Sequence, residues 1–252
     1  MFPIILRFGE FAIHTYGVML ALAFFIGIYL AERRAVAAGI DKKIVSDLGF
    51  WILISAVIGA RLLYVLLHPK EFQHNPLEII AIWRGGLMFF GGFILALILG
   101  IYFAKKNQIK VLTLGDIVSP SIALGIFFTR IGCFFNGCCF GIPTDLPIGV
   151  KFPKDCAAGY SPVGDNLLLP TQLISSLFGL LLFFYLEKRR KKAHHGELFG
   201  TILLGYGTFR FLIDIVRYYE NSANYLTNQI FAAGVAFIGL IILLKSFATK
   251  SG

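Results

Sequence analysis

Seven apolar segments decide what this chain can be. Each is long enough to cross about 30 Å of hydrocarbon, which takes roughly 20 residues. They cover about 13–32, 46–67, 85–104, 115–132, 170–187, 197–217 and 226–245. In lipid every backbone N–H and C=O must be satisfied within the segment itself, so such runs fold as helices. Only 15% of residues are charged, against about a quarter in soluble domains, which excludes a soluble fold. The expectation is an all-α polytopic membrane protein, with seven transmembrane helices in one integral-membrane domain over 1–252. No internal repeat or low-complexity tract interrupts it. The N-terminus shows no cleavable signal pattern, so the first segment is expected to remain as an anchor.

Lys and Arg in the connections set the orientation. The connections after segments one, three and five, with the C-terminal tail, hold 14 of the 23 basic residues; the alternate side holds 5. The first group includes Arg33, Arg34, Lys42, Lys43, the run Lys188–Lys192, Lys245 and Lys250. The second is Arg7, Lys70, Arg84, Lys151 and Lys154. This count places the C-terminus in the cytoplasm and the N-terminus outside. The connection 133–169 then becomes a periplasmic loop or small head between helices 4 and 5. Its stretch "FPKDCAAGYSPVGDN" is polar and rich in Pro and Gly, as an exterior cap with mobile parts would be. The net charge of +9 flanks membrane segments, so it suits anionic lipid and not nucleic acid.

Four basic residues fall on neither side: Arg61, Arg130, Arg210 and Arg217 lie within or at the ends of apolar segments. Each costs about 3 kcal/mol near a helix centre unless it faces a cavity or a partner. Tyr206, Arg210, Asp214 and Arg217 share one face by helical spacing, as do Asp116, Ser119, Ala123, Phe127 and Arg130. Pro120 is expected to bend or start the helix carrying the second group. Gly59 and Ala60 permit close helix approach beside Arg61. Pairing of Asp214 with Arg210 or Arg217 would staple the bundle. Asp116 and Asp214 are nevertheless only two acids against four arginines. A phosphate-bearing lipid balances the remainder, because guanidinium binds phosphate bidentately and stays protonated.

The stretch "TRIGCFFNGCCFG" (129–141) places Cys133, Cys138 and Cys139 after Arg130. Its spacing is not that of a structural zinc site, and His14, His68, His74, His194 and His195 show no partner spacing, so no metal is expected. The thiols allow one disulfide, with Cys156 as a partner, or they pack as small apolar groups. Gly132, Gly137 and Gly141 let the backbone turn and approach closely, and Asn136 adds an amide donor. Together these residues describe a positively charged, backbone-lined pocket at the membrane surface.

At this point the chain resembles the bacterial prolipoprotein diacylglyceryl transferases. The resemblance runs nearly end to end. It is carried by "YGVMLALAFFIGIYLAERRA", "IGARLLYVL", "WRGGLMFFGGF", "GDIVSPSIALGIFFTRIGCFFNGCCFG", "PTQL", "YGTFRFLIDIVR" and "NQI", in order. It implies transfer of the diacylglyceryl group of phosphatidylglycerol to the lipobox cysteine of a preprolipoprotein signal peptide. A thioether forms and glycerol phosphate leaves; no cofactor is expected. Arg130, Arg210, Tyr16, Asn136 and Gly141 fall on motif positions tied to activity or binding. Arg61, Asp116, Gln172, Asp214, Arg217 and Gln229 fall on further motif positions. In this reading the reacting thiol belongs to the substrate, Arg130 and Arg210 stabilise the leaving phosphate, and nearby arginine favours the thiolate.

The chain departs from the family pattern at five places. Phe90 stands where the family often has a His in the third-helix motif. Leu169 and Ser175 replace His and Glu around "PTQL", Cys133 replaces Asn, and Thr129 replaces Gly. Tyr16, Tyr206 and Asp214 are the remaining candidates for proton handling. Two other readings share these residues: a diverged paralogue with a different acceptor, and a lipid-binding or transport protein without catalysis. A transporter would favour inverted repeats with broken helices at matching places, and the sequence shows none.

Overall fold

The computed structural model describes residues 3–8, 11–73 and 75–248; His74 and Lys250 lie outside them. Seven helices follow one another: α1 (Thr15–Ala37), α2 (Lys42–Leu67), α3 (Phe89–Lys106), α4 (Val111–Asn136), α5 (Thr171–Arg189), α6 (Glu197–Ile215) and α7 (Ser222–Ala248). Six of them, all but α5, are long and apolar enough to cross a membrane. The exception opens on Thr171, Gln172, Ser175 and Ser176 and ends on Glu187, Lys188 and Arg189. The chain is not wholly helical. A short antiparallel hairpin, β1 (Ile4–Phe8) and β2 (Phe11–His14), precedes α1.

Helix ends differ from the apolar runs where caps decide them. Asp41 caps α2, its carboxylate accepting from the Lys43 N–H at 2.9 Å, so the helix begins before its apolar run. Gly85 and Gly86 have φ of 90° and 69°, which delays α3 to Phe89. Pro120 neither starts nor ends α4; it is fully buried inside the helix. Its missing N–H costs one helical bond, which the turns on either side sustain.

The chain divides into two compact units, Ala31–Leu114 and the remainder, and α1 and α4 each contribute to both. In the 31–114 unit α2 and α3 meet through glycine. A Cβ on Gly59 would strike the Gly91 carbonyl, and one on Gly91 would strike that of Gly59. This is the close approach expected beside Arg61, and small residues are what permit it between apolar helices. Leu48, Ala104 and Leu114 form the buried cluster at the other end.

Arg61 is 8% exposed and fully employed in this unit. Its guanidinium donates to the carbonyls of Ile79 at 2.8 Å, Gly85 at 2.8 Å, Gly86 at 3.1 Å and Glu78 at 2.5 Å. The Tyr64 and Phe72 rings lie 5.6 and 5.2 Å from its carbon. Carbonyl dipoles and aromatic faces thus compensate the charge without an acid, and the guanidinium ties the irregular connection 78–86 to α2.

In the other unit α6 and α7 pack closely, with Gly207 of α6 facing the Ala232 carbonyl and the Ala236 N–H. Ser121 of α4 donates to the Gly27 carbonyl of α1 at 2.6 Å, and Ser176 of α5 donates to Phe127 of α4 at 3.0 Å. Leu182, Leu186, Leu198, Ile202 and Ala123 are the buried apolar centre. Asp116 is committed here too. Its carboxylate accepts from the N–H of Gly196 at 2.6 Å and of Phe199 at 2.9 Å, capping α6. Asp116 is fourteen residues from Arg130, about 21 Å along a helix at about 1.5 Å per residue, so it does not neutralise that arginine.

Between α4 and α5 the chain forms an ordered head with its own core of Phe140, Phe152, Cys156, Ala158 and Leu168. Backbone pairing closes its base: Val150 and Leu168 exchange two hydrogen bonds at 2.9 Å, and Thr144 donates to Leu167 at 2.9 Å. The first residues of the expected loop, 133–136, are the last turn of α4.

Arg61→Lys keeps the charge but loses the planar fork that reaches four carbonyls. We expect it to destabilise the protein by about 2–4 kcal/mol, since several charge-assisted hydrogen bonds are lost together. Thermal unfolding in detergent or lipid nanodiscs measures this. An unchanged transition would remove Arg61 from its fastening role.

Candidate functional site

Arg130 from α4 and Arg210 from α6, with Arg217 just beyond it, come together in the unit that contains α4 to α7. Each lies close enough to act electrostatically on Arg210. Arg130 is hydrogen-bonded to Tyr206, one of the four residues predicted to share a face of α6. The other three also converge. Asp214, with no exposed surface, sits 3.1 Å from the Arg210 guanidinium and 3.8 Å from that of Arg217. One carboxylate therefore serves two arginines, at the i−4 and i+3 positions that place them on one helical face.

Among the described residues these three guanidiniums have one carboxylate within ion-pair distance, which leaves two positive charges in excess. The excess equals that expected from the sequence, but for a different reason. Arg61 is satisfied by carbonyls, and Asp116 is spent on the α6 N-terminus.

Tyr219 was not anticipated. Its hydroxyl donates to Asp214 at 2.8 Å and accepts from Arg210 at 3.0 Å, while Arg217 lies 5.1 Å from its ring centre. Burial pushes the phenol up to about 12; the bond to Asp214 adds to this, against the opposing pull of Arg217 and Arg210. It therefore remains a protonated donor at neutral pH. Tyr219 lies beyond the end of α6, so helical periodicity carried no signal for it.

Backbone pairing positions the arginine end of α6 under the head. Gly141 bridges to Arg217, Ile142 donates to Val216 at 3.0 Å, and Tyr218 donates to Phe140 at 3.1 Å. Gly141 also donates to the Leu169 carbonyl at 2.8 Å. A Cβ at Gly141 would lie 2.7 Å from the Val216 carbonyl oxygen and 2.8 Å from the Leu169 Cβ. Glycine is required here by space: three backbone segments cross at one point. Leu169, at the family's His position, contributes its backbone and a buried apolar side chain. Ser175, at the Glu position, returns its hydroxyl to the Thr171 carbonyl at 2.6 Å.

Gln172 and Thr171 hold the cysteine turn. Gln172, fully buried, donates to the Cys138 carbonyl at 2.8 Å, and Thr171 donates to that of Cys139 at 2.8 Å. Gln229 donates to the Phe211 carbonyl at 3.1 Å. Both glutamines keep a buried Oε1 without a partner, as do Asp214 Oδ2 and Arg217 Nε. Buried polar atoms of this kind are uncommon. Asn136 ends α4 with its amide directed at the Cys138 thiol. Tyr16, 37% exposed, faces the same cluster, with Arg130 and three cysteines as its titratable neighbours. Its Cα is held close to α4: a Cβ on Gly132 would stand 3.2 Å away.

All four cysteines are free thiols. Cys156 donates to the Pro153 carbonyl at 3.0 Å within the head core, so the disulfide considered from sequence does not form. Cys133, Cys138 and Cys139 instead gather, with their sulfurs all within 4.8 Å of one another. Spacing alone hid this, because the positive φ of Gly137 (68°) and Cys139 (64°) turns the chain back over the end of α4.

A family description, "Prolipoprotein diacylglyceryl transferase", matches residues 3–245. Curated relatives named phosphatidylglycerol–prolipoprotein diacylglyceryl transferase are similar over most of their length. The Bordetella bronchiseptica protein is 36% identical over 230 residues, covering 87% of this chain and 83% of its own. The relative from Polynucleobacter necessarius is 34% identical over 266 residues, covering 99% and 97%. That from Clostridium tetani is 34% identical over 218 residues, covering 86% of each.

Tyr219→Phe removes one hydroxyl and leaves Asp214 short of a donor. We expect a loss of about 1.5–3 kcal/mol, the usual value for a hydrogen bond to a charged partner. The sign of the pH effect follows from the raised phenol. Its stabilising contribution is complete below pH about 10, the ordinary tyrosine value, and is lost as pH rises through about 12. Unfolding followed across that window should fall less steeply for Tyr219→Phe than for the wild type; parallel curves would contradict the assignment.

Proposed function

The chain belongs to the prolipoprotein diacylglyceryl transferase family, and from that premise we propose how its own residues carry the reaction. It transfers the diacylglyceryl group of phosphatidylglycerol to a prolipoprotein. The acceptor is the lipobox cysteine thiol of the signal peptide. Sulfur attacks the glyceryl carbon that bears the phosphate; the S–C bond forms as the C–O bond breaks. Glycerol phosphate leaves with the electron pair, and the thiol proton is released.

One observation carries this reading: the two uncompensated positive charges of the Arg130, Arg210 and Arg217 cluster, set among apolar helices. A phosphodiester brings one negative charge, and a second develops as the ester oxygen departs. The cluster therefore matches the charge of the departing phosphate more closely than that of the ground-state lipid. Such differential stabilisation is what accelerates a chemical step. Arg130 and Arg210 hold the phosphate. Arg217 is shared between Asp214 and the ligand, and Tyr16 donates its hydroxyl to the same group. The two free hydroxyls of the headgroup glycerol donate to two of the unpartnered oxygens of Gln172, Gln229 and Asp214. Asn136 and Gly141 shape the turn above. Arg61 acts as the fastener of the 78–86 connection.

We assign α5 as the seventh span. It packs along α4, with Ser176 bound to Phe127 and Gly179 against Ala123. Its polar residues Thr171, Gln172, Ser175 and Ser176 are buried inside the protein and not turned to lipid. Seven spans and the bias of positive charge support a head on the periplasmic side of the inner membrane, where lipobox cysteines emerge.

Purified protein mixed with phosphatidylglycerol and a lipobox peptide should yield a peptide heavier by the diacylglyceryl mass. Arg130→Ala and Arg210→Ala should each lower turnover by about 100- to 1,000-fold, the usual cost of losing a preorganised oxyanion partner. Either variant turning over like the wild type would remove that residue from the phosphate site.

A further inference from the structure

The three clustered thiols have no task in the reading above, because the nucleophile comes from the substrate. Cys133 is buried on the last turn of α4, while Cys138 and Cys139 are half-buried on the turn that follows. Adjacent residues in an extended chain point to opposite sides. Here the left-handed Cys139 swings both sulfurs to the side where Cys133 lies. Thr171 and Gln172 fix the carbonyls of the same two residues, so the arrangement is held from outside the turn. Arg130 and Arg217 lie near Cys139 and offset the negative charge that three thiolates would bring.

We propose that Cys133, Cys138 and Cys139 form a trithiolate site for Zn²⁺ whose fourth position takes the thiol of the substrate peptide. The proposal rests on the transferase reading. Zinc–sulfur bonds of about 2.3 Å in a tetrahedron put sulfurs about 3.8 Å apart, so the present sulfurs close by about 1 Å at most. Thiolate donors select zinc over magnesium or calcium. Among the described residues no His, Asp or Glu joins the group, and Cys156 is bonded elsewhere. Three protein ligands and one open position is the pattern of a catalytic zinc, not a structural one.

The chemistry answers a specific lack. Phe90 and Leu169 stand where the family often has imidazoles, and neither takes a proton. A thiol that ligates zinc gives up its proton to solvent, whatever residues surround it. The bound sulfur keeps a lone pair for attack on the glyceryl carbon. Once alkylated it is a neutral thioether and a weaker zinc ligand, so the product leaves. No oxidant or reductant is consumed.

Cobalt reports on this site independently of catalysis. The full-length protein, reduced and stripped with a chelator in detergent, is titrated with Co²⁺ while sulfur-to-cobalt charge-transfer absorption is followed. One equivalent should bind per chain. Cys133→Ser and Cys138→Ser should each weaken binding by at least about tenfold, whereas Cys156→Ser should not. A lipobox peptide with cysteine should intensify the absorption, and the same peptide with serine should not. No cobalt or zinc binding by the reduced protein overturns the proposal. So does binding that ignores the cysteine peptide. If a serine variant fails to fold, the stripped wild type decides: transfer at full rate without metal overturns the zinc site and leaves the transferase standing. A protein that binds metal and cysteine peptide yet never modifies the peptide overturns the transferase reading instead.

Discussion

The cost of keeping a guanidinium among apolar helices governs this structure. Each such charge needs compensation worth several kcal/mol, and the four arginines obtain it in different ways. Arg61 takes backbone carbonyls and two aromatic faces. Arg210 and Arg217 share the fully buried Asp214. Arg130 has a hydrogen bond with Tyr206. Uneven compensation separates a fastening from a site. Where the charge is fully met the residue holds structure together, and where it is not, positive charge is left over.

The head matters because it fixes where that excess lies. Its backbone is threaded between α4 and α5, yet it pairs with the residues after α6 through the Gly141–Arg217 bridge. Arg217, Tyr218 and Tyr219 are thereby held in an ordered turn. Tyr219 can then bond Asp214, five residues earlier, which no continuous helix would allow. Thr171 and Gln172 act in the same way on the cysteine turn. Their side chains satisfy carbonyls that the end of α4 would otherwise leave bare. The polar start of α5, which weakens its apolar character, is therefore the price of building the site.

The missing imidazoles change how a thiol becomes reactive here. In the proposed reaction two arginines beside the substrate would favour a thiolate by charge alone, and a trithiolate zinc would remove the proton by ligation. Both use groups already gathered at the end of α4, and both leave Phe90 and Leu169 free to be apolar.

Much was legible in the sequence. Seven helices follow from apolar length, because lipid offers the backbone no other partner. The Tyr206, Arg210, Asp214, Arg217 face follows from 3.6-residue periodicity, and it stands in the structure as read. The close approach at Gly59 was visible because only small residues allow it. Other features were illegible for physical reasons. Arg61 and Asp116 looked like members of one charged set, but carbonyl oxygens and helix-end N–H groups carry no signature in a residue list. Tyr219 and the three-sulfur cluster depend on left-handed turns and on pairing between segments some 75 residues apart, such as Gly141 with Arg217. The sequence by itself determined how many charges would need partners within the membrane. Only the tertiary structure decided which were satisfied, because satisfaction depends on the direction of dipoles, and direction is set by the fold.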